Sequence, residues 1–83
     1  MPLKTLDRLL GAEIQRLRTA KGWSQEYLAE VANLHRTYIS QLERGLKSPS
    51  VRVLYQITAA LGVTMSAMLE VVEESLDADE LRS

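Results

Sequence analysis

Arg36, Thr37, Ser40, Gln41 and Arg44 fall within one short run of the chain. An arginine offers a planar fork of donors, a glutamine offers both a donor and an acceptor, and the hydroxyls can play either part. Such a set recognises a partner by hydrogen bonding and breaks no covalent bond. No pair of acids, histidine-centred triad or phosphate loop accompanies it, so enzymatic activity is not expected. His35 is the single histidine and cysteine is absent, which leaves no expected metal, cofactor or disulfide. Stepping about 100° per residue from Ile39, as on a helix, keeps Leu42 and Glu43 inward. Thr37, Gln41 and Arg44 then point the opposite way, with Ser40 on the flank. Arg36 sits at the helix start, where a long side chain swings outward.

The elements that carry this run are separated by glycine and proline at Gly22, Gly45, Pro49 and Gly62. Over residues 5–21, Leu6, Leu9, Leu10, Ile14 and Leu17 recur at spacings of three and four, and Gly22 follows as a left-handed cap. Gly11 weakens the middle of that helix. Ser24 caps a second helix over Gln25–Ala32, and a third spans Arg36–Arg44. Ser50 caps a fourth, with Val53, Leu54, Ile57 and Leu61 inward, and Thr64 caps a fifth. No segment alternates with period two, so the chain is read as an all-α, five-helix domain over residues 1–76. Residues 77–83 are read as an acidic, frayed tail.

Between the second and third helices only Asn33, Leu34 and His35 turn the chain, which forces the axes to cross steeply as in a helix-turn-helix. Ala29 is small where the helices touch, Asn33 tolerates positive φ, and Leu28, Leu34, Ile39 and Leu42 seat the pair. The stretch "SQEYLAEVANLHRTYISQLERGLKSPS" resembles the helix-turn-helix of Cro and phage-repressor type regulators. Its Gln-x-x-x-Leu-Ala opening and Ile-Ser-x-x-Glu-x-Gly close carry the likeness, which extends from about Leu10 to "ALGV". Within that family "RTYISQLERG" is most similar to controller proteins of restriction-modification systems. The resemblance implies a lambda-repressor-like fold and a DNA-binding transcription regulator.

A recognition helix inserted in the major groove of double-stranded DNA reads bases with its first residues and its outward stripe. Arg36 suits a guanine edge and Gln41 an adenine edge, while Thr37 meets a base or a thymine methyl. Ser40 is a shorter reader. Phosphates are expected at Gln25, in the first turn of the second helix, and at Arg44, Lys47 and Ser48 after the third. Tyr38 either bonds a phosphate through its hydroxyl or is a half-buried aromatic. His35 holds the N-cap place without being a favoured capping residue, and is assigned to solvent or phosphate. Lys21 and Trp23 flank the Gln25 clamp, Trp23 mainly as a packing residue. In the family the glutamate matching Glu43 pairs with an arginine of the first helix, and the matching position here is Arg18.

One such helix reads only a few base pairs, so a homodimer on a two-fold operator is expected, with half-sites about 34 Å apart. Met65, Met68, Leu69 and Val72 form a stripe on the fifth helix that serves either as the dimer interface or as the end of the monomer core. Composition fits this reading, being 46% apolar and 25% charged. Residues 1–52 hold nine Lys/Arg against five Asp/Glu (+4), and 53–83 hold one against six (−5), so the net charge of −1 conceals a basic front. The apolar runs are too short to cross a bilayer and the N-terminus does not resemble a signal peptide, so no membrane partner and a cytoplasmic location are expected. RNA polymerase is a further partner if the protein activates transcription. The alternatives are a phage-type repressor or an antitoxin and, in another class, a protein-binding adaptor. The Arg36, Gln41, Arg44 and Lys47 surface lacks the large apolar anchors an adaptor would use.

Overall fold

The computed structural model describes residues 3–82, with side-chain surroundings over 5–78. Five α-helices follow in order: α1 Leu3–Ala20, α2 Gln25–Ala32, α3 Arg36–Glu43, α4 Val51–Leu61 and α5 Met65–Arg82. The boundaries have local causes. Ser24 and Ser50 accept from the backbone N–H groups of Tyr27 and Val53, satisfying donors that the first turns of α2 and α4 leave open. Thr64 Oγ1 does the same for Ala67 at the start of α5. Asn33 ends α2 at φ 60°, ψ 47°, and its N–H returns to the α2 carbonyls. Among the described residues it is the only non-glycine with positive φ, a place where asparagine costs less than a branched residue.

Ile14, Leu28, Ile39, Leu42, Ile57, Met68 and Val72 are the largest apolar side chains removed from solvent, and they draw on all five helices. Burying each contributes roughly 1.5–3 kcal/mol. Ile39 and Leu42 seat α3, while Leu10 and Ile14 of α1 and Leu28 of α2 belong to the same cluster.

α5 continues to Arg82, through most of the segment read as an acidic tail; Leu, Ala, Glu and Arg there are good helix formers. One expectation is corrected. Met68 and Val72 are each 1% exposed within the single chain, so they belong to the core and not to a dimer surface. Their side chains complete the core that α1 and α4 leave open. Leu69, 38% exposed, remains outward, and Met65 is partly buried against the core.

The close contact of α1 with α3 depends on a glycine. A Cβ on Gly11 would lie 2.1 Å from the Leu42 carbonyl oxygen and 2.8 Å from that of Glu43. The last turn of α3 therefore rests directly on the α1 backbone, which any larger residue would push away. The glycine that lowers helix propensity is also the one that permits the contact.

Candidate nucleic-acid interface

The recognition candidate, α3, begins at His35 with extended dihedrals (φ −79°, ψ 142°) and without a side-chain capping bond. The His35 carbonyl, not its side chain, accepts from the Tyr38 N–H at 3.1 Å. The exposed side chains of Arg36 and Thr37 lie on its first turn, and Arg44 is exposed at its end. Ser40 and Gln41 are half-buried on the flank. Among the described residues none of Arg36, Thr37, Ser40 and Gln41 makes a side-chain hydrogen bond within the chain. A helix inside a fold normally uses such groups to satisfy neighbours; here they are available to a partner. Tyr38 is half-buried, its ring packed against the hydrophobic core.

Behind the stripe the helix is held by charge. Arg18 Nε donates to Glu43 Oε2 at 2.6 Å and Nη2 to Glu43 Oε1 at 2.9 Å, a bidentate pair across 25 residues of sequence. Both side chains are largely buried, 11% and 3% exposed respectively. The remaining guanidinium nitrogen, Nη1, donates to the Trp23 carbonyl at 2.7 Å. The hydrogen bonds to Glu43, and secondarily its charge, outweigh desolvation and raise the Arg18 pKa above the usual arginine value. Desolvating both ions offsets much of their attraction, so the pair fixes orientation more than it stabilises the fold.

Gln25 belongs to the same network. Its Nε2 donates to Glu43 Oε1 at 3.0 Å, so this amide is engaged within the chain and not turned wholly toward a phosphate. The two residues are 18 apart in sequence, and nothing local signals the bond. Ser48, also expected at a phosphate, donates its hydroxyl to Asp7 Oδ1. Both residues therefore have a partner within the chain. Arg44 and Lys47 remain exposed beside the loop after α3. His35 is exposed and lines an open groove of about 520 Å³ with Arg36, Leu34 and the outer face of α2.

Around the α1–α2 turn, Lys21 Nζ stands 5.1 Å from the centroid of the Trp23 ring, and Trp23 meets Tyr27 edge-on at 4.9 Å. Trp23 is half-buried and Tyr27 is 47% exposed. On α1, Arg16 forms a second bidentate pair with Glu13 at 2.8 and 2.6 Å, a spacing of three that one helix face allows. That bond raises the Arg16 pKa.

Among the described residues no three metal-binding side chains come together, and no single helix is long and apolar enough to cross a membrane. The α4 surface is more apolar than its packing requires. Val51 and Tyr55, one turn apart, are 74% and 60% exposed, and Ala59 follows on the same face.

Comparison with known proteins gives a family match described as "Helix-turn-helix" over residues 14–67. Control protein C.BamHI of Bacillus amyloliquefaciens is 41% identical over 63 residues, covering 75% of this chain and 78% of that one. The crystal structure of the clp gene regulator ClgR from Corynebacterium glutamicum superposes with a TM-score of 0.85 at 31% identity, covering 93% of this chain and 82% of that one. The restriction-modification controller protein C.Esp1396I, solved as a tetramer with its natural 35 base-pair operator, gives a TM-score of 0.76 at 33% identity, covering 83% and 91%.

Proposed function

The chain belongs to the helix-turn-helix family of transcriptional regulators, DNA-binding proteins and not enzymes; from that membership we propose that it is a homodimeric, sequence-specific regulator acting on a two-fold operator. The observation that carries the reading is the contrast between the two sides of α3. One side is fixed by Ile39, Leu42 and the Arg18–Glu43 pair. The other presents Arg36, Thr37, Ser40 and Gln41 with no side-chain partner within the described chain. A rigid rod with unsatisfied donors along one side suits insertion in a groove, because little order must be gained on binding.

Arg36 is proposed to take a guanine edge, Gln41 an adenine edge and Thr37 a base or methyl group, with Ser40 reading at short range. Arg44 and Lys47 supply phosphate contacts, with Tyr38 through its hydroxyl and His35 at the helix start. Gln25 and Ser48 support these contacts by holding Glu43 and the loop in place. The pairing surface is drawn from Val51 and Tyr55 of α4 with Met65 and Leu69 of α5, since Val51, Tyr55 and Leu69 are exposed and Met65 is only partly buried against the monomer core.

The preferred genetic setting is control of restriction-modification genes, including the protein's own promoter. The likeness to C.BamHI and C.Esp1396I favours it, while the likeness to the clp regulator ClgR comes from a different setting. Footprinting on the DNA upstream of the protein's own gene tests the proposal. A protected, two-fold symmetric site supports it, and uniform weak protection without a preferred site sinks it.

A further inference from the structure

The turn between α1 and α2 carries a lysine on an aromatic perch. Lys21 is exposed, and its Nζ stands 5.1 Å from the centroid of the Trp23 ring. A cation over an indole face is attracted by the ring's electrons, which narrows the positions of a long side chain and leaves its charge intact. The perch is itself fixed from two sides. The Trp23 N–H donates to the Arg18 carbonyl at 3.2 Å, and Arg18 Nη1 donates to the Trp23 carbonyl at 2.7 Å. Tyr27 meets the ring edge-on at 4.9 Å. Because Arg18 also grips Glu43, the perch keeps a set place relative to the end of α3.

A reading helix in the major groove has a phosphate backbone on either side, and the helix before it crosses one of them. Arg44 and Lys47, the cations of the proposed phosphate contacts, both follow α3. On the α2 side Gln25 is uncharged, and its Nε2 is bonded to Glu43. We propose that Lys21 is the phosphate contact on the α2 side of the groove, with Trp23 as its positioning residue. The inference rests on the DNA-binding reading above and adds to it the strand that α2 crosses. A contact of this kind adds affinity and fixes register on the duplex without reading sequence.

The test is the salt dependence of binding to a short mixed-sequence duplex, read by fluorescence anisotropy for the parent, Lys21→Gln, Lys21→Arg, Arg44→Ala and the double variant Lys21→Gln with Arg44→Ala. Each phosphate contact contributes about 0.9 to the slope of log affinity against log salt. Lys21→Gln and Arg44→Ala are each expected to lower that slope by about one contact, their combination by about two, and Lys21→Arg to keep it. Trp23→Leu is expected to weaken duplex affinity about two- to fivefold in the parent and not in Lys21→Gln, since the perch acts only through the lysine. Equal weakening in both backgrounds would reduce Trp23 to a packing residue and overturn its positioning role. Lys21→Gln with the parent slope, beside an Arg44→Ala slope that falls, overturns the Lys21 contact and leaves DNA binding standing. A parent whose binding is insensitive to salt overturns the DNA-binding reading itself.

Discussion

Arg18 and Glu43 are joined by two hydrogen bonds of 2.6 and 2.9 Å, linking the end of α1 to the end of α3. Removing one partner strands the other ion in a buried place. Arg18→Ala or Glu43→Ala alone is expected to cost about 3–5 kcal/mol, whereas Arg18→Met with Glu43→Leu should cost far less. Urea unfolding of the four proteins in a double-mutant cycle measures the coupling. Additive losses would show that the pair does not act as a unit. The raised Arg18 pKa contributes stability that is present below the unfolded arginine value and lost only as pH rises through the folded one. Titration of Arg18 therefore leaves stability unchanged across the neutral range.

Arg36 carries no bond that the fold requires, so Arg36→Ala should melt as the parent does. The expected effect is on operator preference, about 1–3 kcal/mol at the base pair it reads, with affinity for mixed-sequence duplex largely retained. Competition binding with single-base operator variants checks this. Equal weakening on every sequence would move Arg36 to the phosphates.

At Gly11 two effects oppose each other. Alanine favours a helix over glycine by about 1 kcal/mol. The added methyl, however, would lie 2.1 Å from a backbone oxygen that cannot move without shifting α3. Overpacking of this kind costs about 1–3 kcal/mol or more and should win, so Gly11→Ala is expected to lower the melting temperature. It should also weaken operator binding, since the helix displaced is the proposed reader. A melting temperature above the parent's would show that the contact is dispensable.

Core and pairing surface can be separated on two apolar residues. Met68→Ala, at 1% exposure, should cost about 2–5 kcal/mol in unfolding. Tyr55→Glu, at 60% exposure, should leave the fold intact and shift sedimentation toward monomer. An unchanged dimer in Tyr55→Glu would remove α4 from the interface.

Much of the architecture is written locally. Ser24, Asn33, Ser50 and Gly62 stop or start helices through bonds to neighbours a few residues away, and such signals survive in one dimension. The outward and inward sides of α3 follow from helical period alone. What escapes is set by distance along the chain. The Gln25–Glu43 and Ser48–Asp7 bonds join residues 18 and 41 apart, and each gives an expected phosphate ligand a partner within the chain. The role of Met68 and Val72 was open for a different reason. A stripe facing its own core and one facing a second copy have the same period, and only the position of α1 distinguishes them. Asp7 carries no motif and gains meaning only through the loop packed beside it.

Trp23 gives the support network an optical consequence. It is the chain's only tryptophan, and its carbonyl is held by the same guanidinium that grips Glu43. Its ring lies against Tyr27 and beneath Lys21. Emission from that single tryptophan, excited at wavelengths tyrosine does not absorb, thus reports, without labelling, whether the far end of the recognition helix is still anchored.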